Sequence, residues 1–389
     1  MPDVSQHAQS SSKLQWGVPR RSLRTPAARA NVPRPRLPFV RVMRRTWALV
    51  LVAVLAGCGP GGVNNIVPLN PEPARAGPPP SVVRIEDDGG NRFQYLVNGQ
   101  PQLFIGMGYN PIYRNLSDAQ RAANYQRDFR ILCQAGVNTI TGWDRDKGYN
   151  QDQFDEITLD EAYHYGLGVV MPFYLPPHAN YTNTEVRHTL MERAIAKIER
   201  FKDHPALRMW GVGNEVLTEM PQSMYPAFGS FYLELADKFH ELDPNHPVIY
   251  REAEDVLVGR IARLLQRSGD PRPWLLYGMN VYSLALGDML QRWPENGLDK
   301  PLFVSEFGAE AYWFGSRATG YVNMWRTIRS FPSYVLGGAP YVWATDGPEP
   351  TDQKWGLMDD NSNPVDSTFL RLKQEWLKEP SAHPNSCPA

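Results

Sequence analysis

The chain has 389 residues, 42% of them apolar and 11% aromatic, enough for one large core and short of two sizeable domains. Its formal net charge of -1 hides an asymmetry, because residues 1–45 hold ten Lys/Arg against Asp3 alone. That leaves 30 basic and 40 acidic residues for 46–389, a balance that argues against a nucleic-acid partner.

At the front, Arg44-Arg45 supplies a positive segment and Trp47 to Ala56 an apolar run too short to span a membrane. Leu55-Ala56-Gly57-Cys58 closes it and resembles a bacterial lipobox. The resemblance implies that 43–58 is a lipoprotein signal peptide and that Cys58 is lipidated. The mature chain would then be anchored in the cell envelope, facing the periplasm or exterior; an ordinary signal peptide with an incidental cysteine is the alternative. Residues 1–42, rich in Arg, Pro and Ser, precede a second candidate start at Met43 and read as a non-native or disordered extension. Residues 59–81, with the run Pro78-Pro79-Pro80, read as an extended tether.

From residue 82 a short hairpin is followed by strands alternating with amphipathic helices to about 378, the pattern of a parallel sheet with crossover helices. The strand-like runs are Phe104 to Tyr109, Val137 to Ile140, Gly168 to Phe173, Leu207 to Val212, Val248 to Tyr250, Leu275 to Tyr282, Leu302 to Val304, and Tyr341 to Trp343. Between the first two, Ser117-Asp118 starts a helix whose Tyr125, Phe129, Leu132 and Cys133 share a face, and Gly136 stops it. Further helices are expected around 192–201, 228–242, 257–266 and 321–329. Eight such units fit a (β/α)8 TIM barrel, an α/β fold of typically ~250 residues. A doubly wound sheet would call for a Gly-rich phosphate loop after the first strand, yet Gly106-Met107-Gly108 continues into Tyr109-Asn110-Pro111. Residues 379–389 read as a disordered tail, and a disulfide between Cys133 and Cys387 is left open.

Two strands end in carboxylates. Trp210-Gly211-Val212-Gly213-Asn214-Glu215 ends the fourth strand, and Leu302-Phe303-Val304-Ser305-Glu306-Phe307 the seventh. In a barrel both would project into one mouth at the C-terminal ends of the strands. Cleaving a glycosidic bond with retention needs such a pair, with one group protonating the leaving oxygen and the other attacking the anomeric carbon.

In this order and at these strands, the two motifs resemble glycoside hydrolase clan A, above all the retaining barrels of families 2 and 5. The resemblance spans about residues 83–377. It implies Glu215 as acid/base, Glu306 as nucleophile, Asn214 on the sugar 2-hydroxyl, Tyr282 on Glu306, and Trp343 as a platform beneath the sugar. The closing run Trp355-Gly356-Leu357-Met358-Asp359, then Pro364, is similar to the stretch after the clan's last strand. One position departs: the clan's arginine near the end of strand two is missing from Gly142-Trp143-Asp144-Arg145, leaving Arg145 or Arg251 as substitutes.

Trp143, Asp144 and Tyr109 are expected to touch substrate, and His178 after the third strand reads as an exposed loop histidine or as a contact to a sugar hydroxyl, within a mouth that also carries Tyr113, Phe173, Tyr174, Trp313 and Trp355. The histidines and cysteines show no metal-ligand spacing and no Gly-x-Ser-x-Gly elbow occurs, so neither metal nor cofactor is expected. The sequence therefore reads as a membrane-tethered retaining β-glycosidase acting on an oligo- or polysaccharide. The alternatives are a transglycosylase on the same site and a noncatalytic carbohydrate-binding lipoprotein.

Overall fold

The computed structural model describes residues 78–388 apart from 91, 112, 114, 144–152, 267–271, 296–299, 348–350, 384 and 385. Cys58 with its leader, the tether to residue 77, Asp144 and Arg145 lie outside the described residues.

Three short strands come first: β1 (Val83–Asp87), β2 (Phe93–Val97) and β3 (Gln100–Gln102), paired antiparallel in that order. The expected hairpin gains its third strand at Asn98-Gly99, where φ values of 52° and 75° make a tight two-residue reversal from β2 into β3. Eight parallel strands then close a barrel. They are β4 (Phe104–Gly108), β5 (Thr139–Thr141), β6 (Gly168–Phe173), β7 (Leu207–Asn214), β8 (Val248–Ala253), β9 (Leu275–Val281), β10 (Leu302–Phe307) and β11 (Val335–Pro340).

Helices cross over between consecutive strands, as the (β/α)8 reading requires. The first, Asp118–Gln134, begins with a reciprocal cap between Ser117 and Gln120 and buries Tyr125, Phe129, Leu132 and Cys133. Gly136, at φ 84°, then turns the chain toward β5.

The eighth barrel strand is displaced from its expected position. Tyr341 to Trp343 reads as the strand in sequence, but the paired segment is Val335–Pro340. Gly337 is what permits closure there. Gly337 sits at φ 133°, and a Cβ there would lie 2.0 Å from the Phe104 carbonyl oxygen on β4.

The antiparallel sheet plugs the N-terminal end of the barrel. Val83, Tyr95 and Val97 join Phe104, Met209, Ile249, Leu276, Phe303 and Leu336 in one buried cluster. Phe303 meets Phe104 and Tyr95 edge-on, at 5.1 and 5.8 Å between ring centres. With that end filled, the C-terminal ends of the strands are left to carry polar groups.

The tail is not the disordered segment expected. Cys387 forms a disulfide with Cys133, and Ser381 Oγ accepts the Leu103 N–H at 2.8 Å, so the end of the chain is pinned beside the first helix and β4. Sequence spacing could not show this, because the bridge joins residues 254 apart.

Candidate active site

Glu215 and Glu306 stand at the C-terminal ends of β7 and β10, the fourth and seventh barrel strands. Each follows an irregularity in strand register, between Gly211 and Asn214 in the β7–β8 pairing and between Phe303 and Glu306 in the β9–β10 pairing. Such irregularities re-aim side chains at the rim of a barrel. At β7 the re-aiming is sharp. Gly213 has φ 80° and lies against the Tyr250 ring, and Glu215 itself has φ 51°, a left-handed conformation that costs a glutamate about 1 kcal/mol.

Glu306 is only 4% exposed, yet both its oxygens are served. Tyr282 Oη donates to Oε2 at 2.7 Å, and the Trp143 indole N–H donates to Oε1. One donor on each oxygen stabilises negative charge in a buried carboxylate. Burial first, and then the charge of Glu306, push the Tyr282 hydroxyl well above its ordinary range, so it serves as a neutral donor. The Glu215 charge adds to the same upward push.

Glu215 is half-buried and tied to Asn280, a residue that sequence reasoning missed. Asn280 Nδ2 donates to Glu215 Oε1 at 2.9 Å and to Asn214 Oδ1 at 3.2 Å, while its Oδ1 accepts from Ser305 Oγ at 2.7 Å. In the β9–β10 ladder Asn280 is the partner of Glu306, so one buried amide stands between the two strand ends. The available signal was Asn280-Val281-Tyr282, an amide on β9 two residues before Tyr282, which directly follows that strand. Asn214 Nδ2 is buried with no hydrogen-bond partner, an unused donor beside Glu215.

Aromatic rings extend outward from Glu306. Trp143 meets Tyr341 at 5.2 Å, Tyr341 meets Tyr282 at 6.0 Å, and Tyr282 meets Trp355 at 5.1 Å. Tyr341 was read as strand; because β11 ends at Pro340, it falls instead on the mouth. Its hydroxyl donates to buried Asp352 at 2.6 Å.

Other expected contacts are corrected. Trp343, 1% exposed, packs between Tyr109 and Phe369, so the displacement of the eighth strand moves the mouth aromatic from Trp343 to Tyr341. Tyr109 is fully buried and donates to Asp128 at 2.8 Å, in a cluster with Tyr113, Arg127 and Ser362 that ties the first helix to loops. Phe173 packs on Phe239 in the core. His178, 72% exposed, faces Glu219 at 3.3 Å on the rim.

Arg251 spans the barrel interior. Its Nη1 donates to Thr141 Oγ1 at 3.0 Å and to the Gly142 carbonyl at 2.5 Å, and Nη2 to the Gly211 carbonyl at 3.4 Å. Gly211 and Gly278 make room for it, since a Cβ on either would lie within 3.0 Å of the arginine. Arg251 thus braces the end of β5 immediately before Trp143. Among the described residues no group of three or more His, Cys, Asp or Glu is placed to hold a metal ion.

Comparison with known proteins bears on the family and the fold. The model of the glycosyl hydrolases family 2 TIM barrel domain matches residues 91–336, from the N-terminal sheet into β11. A β-galactosidase of Vibrio cholerae is 24% identical over 305 residues, covering 74% of this chain and 27% of its own length. A β-glucuronidase of Sus scrofa is 27% identical over 231 residues, covering 56% and 32%. The chain therefore spans about a third or less of these relatives.

Among solved structures, the β-D-glucuronidase of Dictyoglomus thermophilum superposes with a TM-score of 0.57 at 21% identity, over 78% of this chain and 54% of that one. A Ruminococcus gnavus β-glucuronidase in complex with a C6-substituted uronic isofagomine gives 0.57 at 18%, over 76% and 52%. These two share the barrel fold. With its family model matching well over half of the sequence, the chain belongs to the glycosyl hydrolase family 2 TIM barrel domain family.

Proposed function

We propose that this chain is a retaining β-glycoside hydrolase that cleaves an oligo- or polysaccharide by double displacement, with Glu306 as nucleophile and Glu215 as acid/base. The observation that carries the reading is the pairing of a doubly held, buried Glu306 with a Glu215 fixed through Asn280. In the first step a Glu306 oxygen attacks the anomeric carbon while Glu215 gives its proton to the departing oxygen, leaving a glycosyl ester on Glu306. In the second, Glu215 takes a proton from water, the water oxygen attacks the same carbon, and the ester bond breaks to return the carboxylate. Two inversions restore the β configuration.

The remaining groups fit that chemistry. The unused Asn214 amide supplies a donor for the sugar 2-hydroxyl. Trp143, Tyr341 and Trp355 offer apolar faces to the C–H surfaces of the ring. Because relatives are named β-galactosidase and β-glucuronidase, aryl β-galactosides and β-glucuronides are the first substrates to try. The envelope location belongs to the same reading: Cys58→Ser is expected to release the protein from the membrane fraction.

The test incubates the full chain with 4-nitrophenyl β-galactoside, 4-nitrophenyl β-glucuronide and a panel of β-linked glucans, mannans and galactans, alongside Glu306→Gln. Turnover that falls at least about a thousandfold in the variant is expected. No turnover of any substrate, or a variant equal to the parent, overturns the proposal.

A further inference from the structure

We infer that Glu252 is a positioning residue for Glu215, holding the left-handed turn that presents the Glu215 carboxyl. The inference rests on the acid/base role proposed for Glu215.

Glu252 lies on β8 and is wholly buried. Its carboxylate is saturated: Oε2 accepts from the Leu217 N–H at 2.8 Å and Tyr250 Oη at 2.6 Å. Oε1 accepts from Thr218 Oγ1 at 2.9 Å and the Ala253 N–H at 3.0 Å. Burial raises its carboxyl above the usual range, with these four hydrogen bonds working the other way. A buried carboxylate is costly to keep unless its oxygens are satisfied, as these are.

Three of these four donors surround the turn that carries Glu215; the fourth, the Ala253 N–H, belongs to β8 itself. Leu217 and Thr218 belong to the helical turn Val216–Glu219 that Glu215 opens. The Tyr250 ring lies 3.1 Å from where a Cβ on Gly213 would stand, directly before Asn214-Glu215. Next to Glu252 on β8, the Arg251 carbonyl accepts the Glu215 N–H at 3.0 Å. Consecutive residues of β8 therefore grip consecutive parts of one turn. That turn contains two left-handed residues, Gly213 and Glu215, and would relax toward extended strand if released. Relaxation would withdraw the Glu215 carboxyl from Asn280. Being enclosed and saturated with donors, Glu252 does not touch substrate and acts through Glu215.

This assignment has a chemical signature that a general folding defect lacks. An acid is needed only where the leaving oxygen is basic; a dinitrophenolate departs without a proton, whereas a phenolate does not. The test compares kcat/KM for phenyl and 2,4-dinitrophenyl β-glycosides of the sugar the parent turns over, in the full chain carrying Glu252→Gln or Glu252→Asp. Gln keeps the shape but has a single acceptor oxygen and turns an NH2 toward the donors.

Glu252→Gln is expected to lose tenfold or more on the phenyl glycoside and less than threefold on the dinitrophenyl one. Glu215→Ala should show the same selectivity more strongly, and Glu252→Asp should recover part of the loss. Should Glu252→Gln fail to fold, Thr218→Val removes one donor without touching the buried charge and should show a few-fold version of the same selectivity. Equal losses on both substrates, or none, overturn the positioning role while leaving Glu215 in place if Glu215→Ala remains selective. A Glu215→Ala variant that loses nothing, or loses equally on both, refutes the role of Glu215 and takes the inference with it.

Discussion

Trp143 donates its indole N–H to Glu306 on the oxygen opposite the one that Tyr282 holds. The end of the second barrel strand, where the clan resemblance implies an arginine, thus supports Glu306 through a neutral donor. Arg251 braces that corner from β8 by binding Thr141 and Gly142, the two residues before Trp143. An indole adds one hydrogen bond to the carboxylate but no positive charge.

Replacing Trp143 by Phe keeps a ring and deletes the donor. A hydrogen bond to a charged group is worth about 1.5–3 kcal/mol, so kcat should fall roughly ten- to a hundredfold. Steady-state kinetics on one aryl glycoside checks this. A change in KM with kcat intact would contradict the donor role on Glu306.

Tyr282→Phe removes the partner donor and should cost about as much. Because Tyr282 is held well above its ordinary range, its ionisation does not shape the alkaline side of the pH profile. The variant should therefore keep the parent's alkaline limb in kcat/KM while losing height. Loss of that limb in the variant would contradict the assignment of Tyr282 as a neutral donor.

The disulfide between Cys133 and Cys387 closes a loop of most of the barrel, distant in sequence from both carboxylates. Cys133→Ser should lower stability by about 2–5 kcal/mol and leave activity at 25 °C unchanged. Thermal melts check this: adding reductant to the parent should reproduce the variant's Tm, and a reductant-insensitive parent would refute it.

Lys300 is half-buried and donates to the Arg272 carbonyl at 2.7 Å. Burial first, and then the Arg272 charge, lower its amino group to about 8 from 10.5. Between those values the unfolded chain holds a proton that the folded one lacks, so Lys300 makes stability rise with pH across this window. Below about pH 8 the cost of charging it is fully present. Lys300→Met should therefore melt higher than the parent at pH 7, by a margin that shrinks as pH climbs toward 10. A constant margin would contradict the depressed amino group.

How much of this was legible in the sequence follows from the reach of each signal. Hydrophobic runs of strand length placed β4 to β10, and Ser117 with Gly136 marked the ends of the first helix, because these are local effects. That Asn214-Glu215 and Glu306 stand at strand ends was legible for the same reason, and strand ends in a barrel converge. The eighth strand was not, since Gly337 shows its purpose only when β4 lies against it. That single displacement sends Trp343 into packing against Tyr109 and Phe369 and hid Tyr341. Asn280, Glu252 and the pairing of Cys133 with Cys387 were equally hidden, each depending on partners that only folding brings near.

The most direct test of the central claim is covalent capture. The full chain is incubated with the 2-deoxy-2-fluoro β-fluorides of galactose and glucuronic acid, which slow release of a glycosyl ester, and its peptides are weighed by mass spectrometry. We expect a single sugar adduct on the peptide carrying Glu306, absent in Glu306→Gln. An adduct on another residue, or turnover of aryl glycosides with no covalent species at all, would contradict Glu306 as the nucleophile of a retaining pair.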